Sequence, residues 1–477
     1  MFAIIPTPKV CHLSSDQVLV LTKICQNAPF PHVIDTLSDY VCRMFDIVLT
    51  PTYSEVGVVF AMDETLPPEG YTLVIEDRTA TITASTSEGA HHGIATLLQL
   101  VESDGDTLTL PVGVVEDFPD STWRGMMVDL ARDWHDLSVL YDYVDLCRFF
   151  KIRYLHLHFT DDQSYTLPSK AFPKLSTEGR HYTEKELQGL VAYAKAKDVA
   201  IIPEIDVPGH CTSFANAYGD IFGTNGIICQ SEASMTAIKT LFTELCDLFS
   251  PFPYIHVGGD EAAISKWTEC SATMEAFRAK GYDVDNMDKG ELTEIMYATF
   301  VAETCEAVTA CGKTPVVWEG FPESVNHLIP KNVVVMSWEN YYQTTPQLQS
   351  AGFRLVNCSW SPMYVVTPAA YWSLEEVYNW DIFTWRPVHP DSPYIRTGLT
   401  IQPTEQVEGG QLLAWGDHIP TKFKRVEDGV REEQRLMTER TTALSQNTWN
   451  IQKLGDFATF SLIHDQVMAK YSLLKGE

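Results

Sequence analysis

Two adjacent carboxylates, Asp260 and Glu261, close the stretch Pro253-Tyr254-Ile255-His256-Val257-Gly258-Gly259-Asp260-Glu261. Residues 254–257 read as a short buried strand, because β-branched and aromatic side chains suit a pleated surface. Neighbouring side chains on a strand point to opposite faces. The two glycines let the backbone leave strand geometry, so both carboxyls can face one pocket. Such a pair suits acid–base chemistry, since an apolar wall keeps one carboxyl protonated while the other stays ionised. A surface Asp-Glu turn is the plain alternative. The buried strand and the histidine ahead of the pair weigh against it.

The elements that must position this pair follow a regular pattern. From Trp123 onward an apolar strand, a polar loop and an amphipathic helix recur. Eight candidate strands are 125–130, 154–159, 200–205, 254–257, 315–318, 333–338, 354–356 and 411–415. Ser138 is expected to cap a helix with Leu140, Tyr143, Val144 and Cys147 inward, and Thr183 with Glu186 forms a capping box before Leu187, Leu190, Val191 and Ala194. The fifth and seventh helices carry weak signals. This alternation predicts an α/β fold with parallel strands closed into a (β/α)8 TIM barrel over residues 119–477. A doubly wound open sheet is the alternative, disfavoured by the eight repeats and by the lack of a Gly-rich phosphate loop. Residues 1–118 read as a small non-catalytic α+β domain. Paired strands are expected at 69–75 and 79–84, then a helix with Ile94, Leu97, Leu98 and Val101 on one face. Asp117-Phe118-Pro119-Asp120 marks the boundary.

In a barrel of this kind, function gathers where strands end. Arg124 flanks the first candidate strand, which ends at Asp129 and Arg132. The second carries His156 and His158, then Asp161-Asp162-Gln163, and the third ends Pro203-Glu204-Ile205-Asp206-Val207-Pro208-Gly209-His210. The fifth and sixth end at Trp318 and Trp338, the seventh leads to Tyr364, and the eighth ends Trp415-Gly416-Asp417. Tryptophans among carboxylates suit a sugar, because aromatic faces stack on its C–H faces and carboxylates accept from its hydroxyls. A metal-dependent hydrolase using His156, His158, His210, His256 and Asp260 is a rival reading. Against it, only His158 of the strand pair would reach the pocket mouth, and the pair sits on the second strand instead of following the first. A non-catalytic sugar-binding barrel is the other rival, disfavoured by the presence of both Asp260 and Glu261.

Composition sets the outer limits. The 477 residues carry a formal net charge of −29, which repels phosphate backbones and anionic lipid and so argues against nucleic-acid and membrane partners. No apolar run is long enough for a transmembrane helix, and the N-terminal Met1-Phe2-Ala3-Ile4-Ile5-Pro6 is too short and Pro-broken for a signal peptide. The eleven scattered cysteines, with no Cys-x-x-Cys, point to reduced thiols and a cytoplasmic protein. One glycosylation sequon, Asn357-Cys358-Ser359, falls at a strand end.

His256-Val257-Gly258-Gly259-Asp260-Glu261 resembles the signature of glycoside hydrolase family 20, the β-N-acetylhexosaminidases. The resemblance implies a retaining, substrate-assisted exo-hydrolase of terminal β-linked N-acetylglucosamine or N-acetylgalactosamine. No cofactor or metal is expected, a glycan is the expected partner, and a homodimer is left open. Glu261 would be the general acid, and Asp260 would orient the substrate's 2-acetamido group, itself the nucleophile. Trp123-Arg124-Gly125 looks like the family's opening segment, whose arginine holds the sugar's 3- and 4-hydroxyls. By the same likeness Asp161 and His210 would relay to Glu261, and Trp318, Trp338 and Trp415 would line the acetamido pocket with Tyr364 bonding its oxygen. Three positions depart from the pattern. Asp133 follows Arg132 where the family often has His, Tyr364-Val365-Val366 replaces Tyr-Leu-Asp, and Asp417 stands for a longer Glu. These leave the reaction untouched and bear on sugar identity and linkage.

Overall fold

The computed structural model describes residues 2–369 and 371–476. A sheet comes first. Strands Val10–Leu21, Leu108–Asp117, Tyr71–Ile75, Thr79–Ala84, Gly57–Met62, Lys23–Cys25 and Thr50–Thr52 lie side by side in that order. Strict alternation explains its buried face: Ala80, Ile82 and Ala84 point inward while Thr79, Thr81 and Thr83 do not. Tyr71–Ile75 and Thr79–Ala84 pair antiparallel, as the sequence predicts. The helix Ser87–Leu100 begins at Thr86, whose side chain accepts the Gly89 N–H. It is buried along nearly its whole length because it lies between this sheet and the barrel helix Leu137–Phe149.

Eight parallel strands then close on themselves. They are β1 (Trp123–Asp129), β2 (Tyr154–His158), β3 (Ala200–Glu204), β4 (Tyr254–His256), β5 (Thr314–Trp318), β6 (Val334–Ser337), β7 (Arg354–Asn357) and β8 (Val407–Trp415). Each pairs with the next, and β8 pairs with both β7 and β1, which closes the barrel and excludes an open doubly wound sheet. A short extra strand, Tyr364–Val366, pairs with the last residues of β8 at the mouth. The capping box of Thr183 and Glu186 opens the helix Glu184–Ala196. Ser138 lies inside the first turn of Leu137–Phe149, whose N-cap is Asp136, so the expected cap is displaced by two residues. The weak fifth helix is absent: between β5 and β6 the chain makes only the single turn Glu323–Val325, hemmed in by Gly320, Pro322 and Pro330. Among the described residues, the seventh connection carries only short helices, Trp360–Met363 and Leu374–Asn379. Asn357 of the sequon is fully buried and donates to the Ile382 and Thr384 carbonyls, so it cannot accept a glycan in the folded chain.

The sheet and the amino end of the barrel are joined by buried charge. Glu69 takes Arg124 and His92 on one carboxylate oxygen and Arg153 on the other. Nearby, Asp117 accepts from Lys151 Nζ at 2.9 Å and from Trp449 Nε1 at 2.8 Å, which pins the end of the long helix Val426–Trp449. Burial alone would raise the Glu69 carboxyl, but Arg124, His92 and Arg153 outweigh it and hold its pKa far below the usual range. Its stabilising contribution is therefore complete above the ordinary Glu value and lost as pH falls below it. Replacing Glu69 with Ala strands a fully buried Arg124 and should cost about 3–5 kcal/mol at neutral pH, read by urea denaturation. The difference from the native protein should shrink as the titration is carried into acid.

Candidate active site

The centre of the barrel holds one carboxylate among rings. Glu204, at the end of β3, is fully buried. His156 Nε2 donates to it at 3.0 Å, Trp318 Nε1 donates at 2.7 Å, and His158 Nδ1 also donates. His256 stacks on His156 with centroids 4.7 Å apart and lies 3.0 Å from Glu204 through Nδ1. Burial pushes His156 down to about 4, so it is neutral: it gives its one N–H to Glu204 and accepts from Gln411 Nε2 at 3.0 Å. Burial works against a charge on His158 as well, but Glu204 and Asp161 prevail and raise it well above the ordinary histidine value. Charged His158 thus bridges Glu204 to Asp161, which accepts its Nε2–H at 3.1 Å.

From Asp161 the chain of polar contacts runs up the wall. His210 Nδ1 is 3.3 Å from Asp161 Oδ1, and His210 Nε2 is 3.5 Å from Glu261 Oε2. Both ends of that last contact stand on left-handed backbone, with φ of 44° at His210 and 47° at Glu261, conformations held at a cost by their surroundings. Burial disfavours charge on His210, yet Asp206, Asp161 and Glu261 together raise it well above the ordinary value. In return the hydrogen bond from His210 lowers Glu261. The two hold one transferable proton between them. Asp260 faces the same pocket. Burial, and then the neighbouring Glu261 and Glu204 charges, raise its carboxyl despite His210, and its buried Oδ1 has no protein partner. Asp206 stands close by, accepts the Gly259 N–H at 3.2 Å, and is raised well above the usual range by burial and by Asp260. Tyr297 fastens the loop from behind by donating to the Gly259 carbonyl.

Aromatic rings make up the other wall. Tyr364 lies parallel to Trp360 at 4.9 Å and to Trp338 at 6.3 Å, with Trp415 tilted against it at 6.0 Å. Trp338 is set by Glu319, a buried carboxylate that accepts the N–H groups of Trp338, Asn340 and Tyr341 and the Ser337 hydroxyl. Burial pushes Glu319 up to about 7 against those four donors. The space between the walls is about 260 Å³, just under the usual range for a small-molecule site, and suits one sugar ring better than several. Val366, Tyr371, Asp417 and His418 complete its rim.

Of the residues singled out from sequence, Glu261, Asp260, His210, Tyr364, Trp338, Trp415 and Asp417 line this pocket, and Asp161 stands directly behind His210. Arg124 does not. It opens β1 at the opposite end of the barrel and binds Glu69 and the Lys151 and Ser121 carbonyls, so it cannot reach a ligand. The arginine in the pocket is Arg132, past the end of β1, with Asp161 Oδ2 at 2.8 Å, Asp129 Oδ2 at 3.2 Å and Asp417 Oδ1 at 3.4 Å, and with its guanidinium over Trp415. Its place after a strand's carboxyl end was the signal that could have found it. Trp318 is likewise not in the wall. Its indole turns into the barrel toward Glu204 and supports Trp415 from below at 6.2 Å. Of the histidines considered as metal ligands, His156 and His256 face Glu204 beneath the floor, and the wall holds His210 beside Asp260.

The profile described as glycosyl hydrolase family 20, catalytic domain, matches residues 122–450, and that of glycosyl hydrolase family 20, domain 2, matches residues 2–118. A beta-hexosaminidase of Akkermansia muciniphila is 30% identical over 337 residues, covering 64% of this chain and 66% of its own length. The human beta-hexosaminidase subunit beta is 25% identical over 410 residues, covering 81% of this chain and 67% of its own. This chain thus spans about two thirds of the length of those curated relatives. Among solved structures, the exo beta-N-acetylglucosaminidase of Vibrio harveyi, in complex with N-acetylglucosamine, superposes with a TM-score of 0.82 at 22% identity. That superposition covers the whole of this chain and 78% of the other, and shows a common fold.

The acidic loop itself is testable. Gly258 has φ of 72°, and a Cβ there would lie 1.9 Å from Asp206 Oδ1. Gly258→Ala should therefore destabilise the fold by about 2–4 kcal/mol, combining strain at positive φ with overpacking. Thermal unfolding reads the loss, and an unchanged melting midpoint would show that the loop is not held as described.

Proposed function

This chain belongs to glycosyl hydrolase family 20, and on that premise we propose that it is an exo-acting β-N-acetylhexosaminidase. In this reading it removes terminal β-linked N-acetylglucosamine or N-acetylgalactosamine by a retaining mechanism in which the substrate supplies the nucleophile. One observation carries the reading. A buried carboxylate oxygen, Asp260 Oδ1, has no protein partner, and it lies beside Glu261 in a pocket walled by Trp338, Tyr364 and Trp415. A group with one N–H to donate and an apolar methyl to bury fits there, and an acetamido group has both.

The chemistry follows from the proton and the two carboxyls. Glu261, fed by the proton it shares with His210, protonates the departing glycosidic oxygen. The acetamido carbonyl oxygen attacks the anomeric carbon as the C–O bond breaks, giving a cyclic oxazolinium ion. Asp260 is held toward neutrality by burial in the open pocket. A positive charge forming beside it favours its ionised form, which accepts the acetamido N–H and stabilises the ion. Tyr364 donates to the acetamido oxygen and aims it. Glu261, now ionised, takes a proton from water, which attacks the anomeric carbon from the face the leaving group vacated and restores the β configuration. The alternative with a carboxylate nucleophile needs two acids about 5–5.5 Å apart across the scissile bond. Asp260 and Glu261 are sequence neighbours on one side of the pocket and do not flank it. Arg132, with Asp417 beside it, is the group suited to the sugar's outer hydroxyls, and Val366 leaves part of that rim without a hydrogen-bonding group.

Two measurements test this reading. p-Nitrophenyl N-acetyl-β-glucosaminide should be cleaved with a kcat/KM far above that of p-nitrophenyl β-glucoside, because an oriented internal nucleophile lowers the barrier by about 7–11 kcal/mol. Glu261→Gln should lose about 10²- to 10⁴-fold on chitobiose while still binding it. Comparable rates on the two glycosides, or a trapped glycosyl ester on a carboxylate side chain, would overturn the mechanism.

The pH profile tests the relay separately. The His210–Glu261 pair must hold its proton, and that proton is lost as pH rises through the raised His210 value. Asp161 is one cause of that rise. Asp161→Asn should therefore move the alkaline limb of kcat to lower pH as well as reduce its plateau. A lower plateau with an unmoved limb would mean that Asp161 only supports the fold.

A further inference from the structure

Behind the pocket, the loop after β3 and the loop after β4 meet along a seam. The Ile228 N–H donates to the Pro208 carbonyl at 2.9 Å, two residues ahead of His210. Trp267 Nε1 donates to the Ile228 carbonyl at 2.8 Å, and the Cys270 N–H donates to the Trp267 carbonyl at 3.1 Å. At the end of this seam Cys229 Sγ and Cys270 Sγ stand 3.3 Å apart. Thr273 Oγ1 lies 3.6 Å from Cys229 Sγ and accepts the Gln230 N–H at 3.0 Å. Neither sulfur lines the pocket.

We propose that Cys229 and Cys270 are a redox pair whose oxidation to a disulfide ties the connection after β3, which starts with the turn bearing His210, to the connection after β4, which starts with Glu261. The sulfurs already touch, and a bond at about 2.04 Å asks each side to move only a fraction of an ångström. The two thiols are unlike in the way an attacking and a resolving cysteine must be. Cys270 is partly exposed and precedes the nine-residue helix Ser271–Ala279. Burial opposes its thiolate, but the Thr273 hydroxyl and N–H, Cys229 and the Ala272 N–H overcome that and lower its pKa. Cys229 is buried, and burial raises its thiol. With glutathione disulfide as the oxidant, the Cys270 thiolate attacks one glutathione sulfur, breaks its S–S bond and releases one glutathione thiolate. The Cys229 thiol then loses its proton and attacks Cys270 Sγ, which breaks the mixed disulfide and releases the second. Two protein thiols are oxidised, one glutathione disulfide is reduced to two glutathiones, and both protons end on them. The link would close the segment from 229 to 270, which contains β4, the double glycine, Asp260 and Glu261. A cross-link of that span takes conformational freedom from the unfolded chain and holds the two loops in register in the folded one.

The test uses the native protein, incubated with glutathione disulfide, then alkylated and mapped by mass spectrometry without reduction. A Cys229–Cys270 cross-linked peptide is expected, together with about tenfold or greater protection of Cys270 from alkylation, both reversed by dithiothreitol. Hydrolytic activity should survive heating longer in the oxidised form. Cys229→Ser should stop at a glutathione adduct on Cys270, and Cys270→Ser should leave Cys229 unmodified. A persistent glutathione adduct on the native protein, or a cross-link elsewhere such as Cys246 to Cys311, would overturn the pairing. Equal heat inactivation of the oxidised and reduced forms would overturn the tie between the loops.

Discussion

The pocket depends on how a single buried carboxylate is neutralised. A charge with no access to water is tolerated only where donors surround it, and Glu204 is met by His156, His158 and Trp318. Each partner then passes the constraint outward. His158, fixed between two carboxylates, sets Asp161 and through it His210. Trp318, fixed by its N–H, supports Trp415. His256, stacked against His156, accepts the Gly258 N–H at 3.0 Å and so fixes the exit of β4 where the acidic pair begins. The aromatic wall and the acidic wall are thus held by the same centre, although they come from strands on different sides of the barrel.

The strands and the acidic pair were legible in the sequence because both are local signals. Short β-branched runs bounded by polar loops mark the barrel strands, and a double glycine before two acids marks a place where the backbone must turn. The error at Arg124 has a simple geometric origin. At about 3.3 Å per residue, the seven residues of β1 span about 23 Å, so arginines at its two ends serve opposite faces of the barrel. Arg124 belongs to the stability face, where it meets Glu69, and Arg132 to the functional one. Trp318 misled for a related reason: a tryptophan closing a strand can turn its indole into the barrel or toward the mouth, and its type does not say which. The missing fifth helix was foreshadowed by its weak periodicity, since Gly320 and two prolines leave little uninterrupted chain for one.

Some features were beyond any reading of one sequence. The left-handed backbone at His210 and Glu261 falls on residues that seldom adopt it, and only the packed loops reveal it. The Glu319 carboxylate that braces Trp338 was not visible either, because its four donors are three backbone N–H groups and a serine, which leave no pattern of residue types. The approach of Cys229 to Cys270 spans the helix Glu232–Leu248 and β4, and nothing in their spacing suggests it.

The floor of the pocket has a consequence for traffic. Beneath the site the barrel is filled by Glu204, His156, His256 and Trp318, all buried, so the cavity is a blind alley with one opening. For the chemistry proposed here, whatever is attached to the sugar must lie at that opening and depart first. The cleaved sugar leaves last, by the same route, and the free monosaccharide competes with the next chain end for the same space. A chain cannot be threaded through such a site, so each cut requires the shortened end to be released and captured afresh. Between the two chemical steps the vacated mouth is also where any hydroxyl compound would enter, and an alcohol arriving there in place of water would be glycosylated.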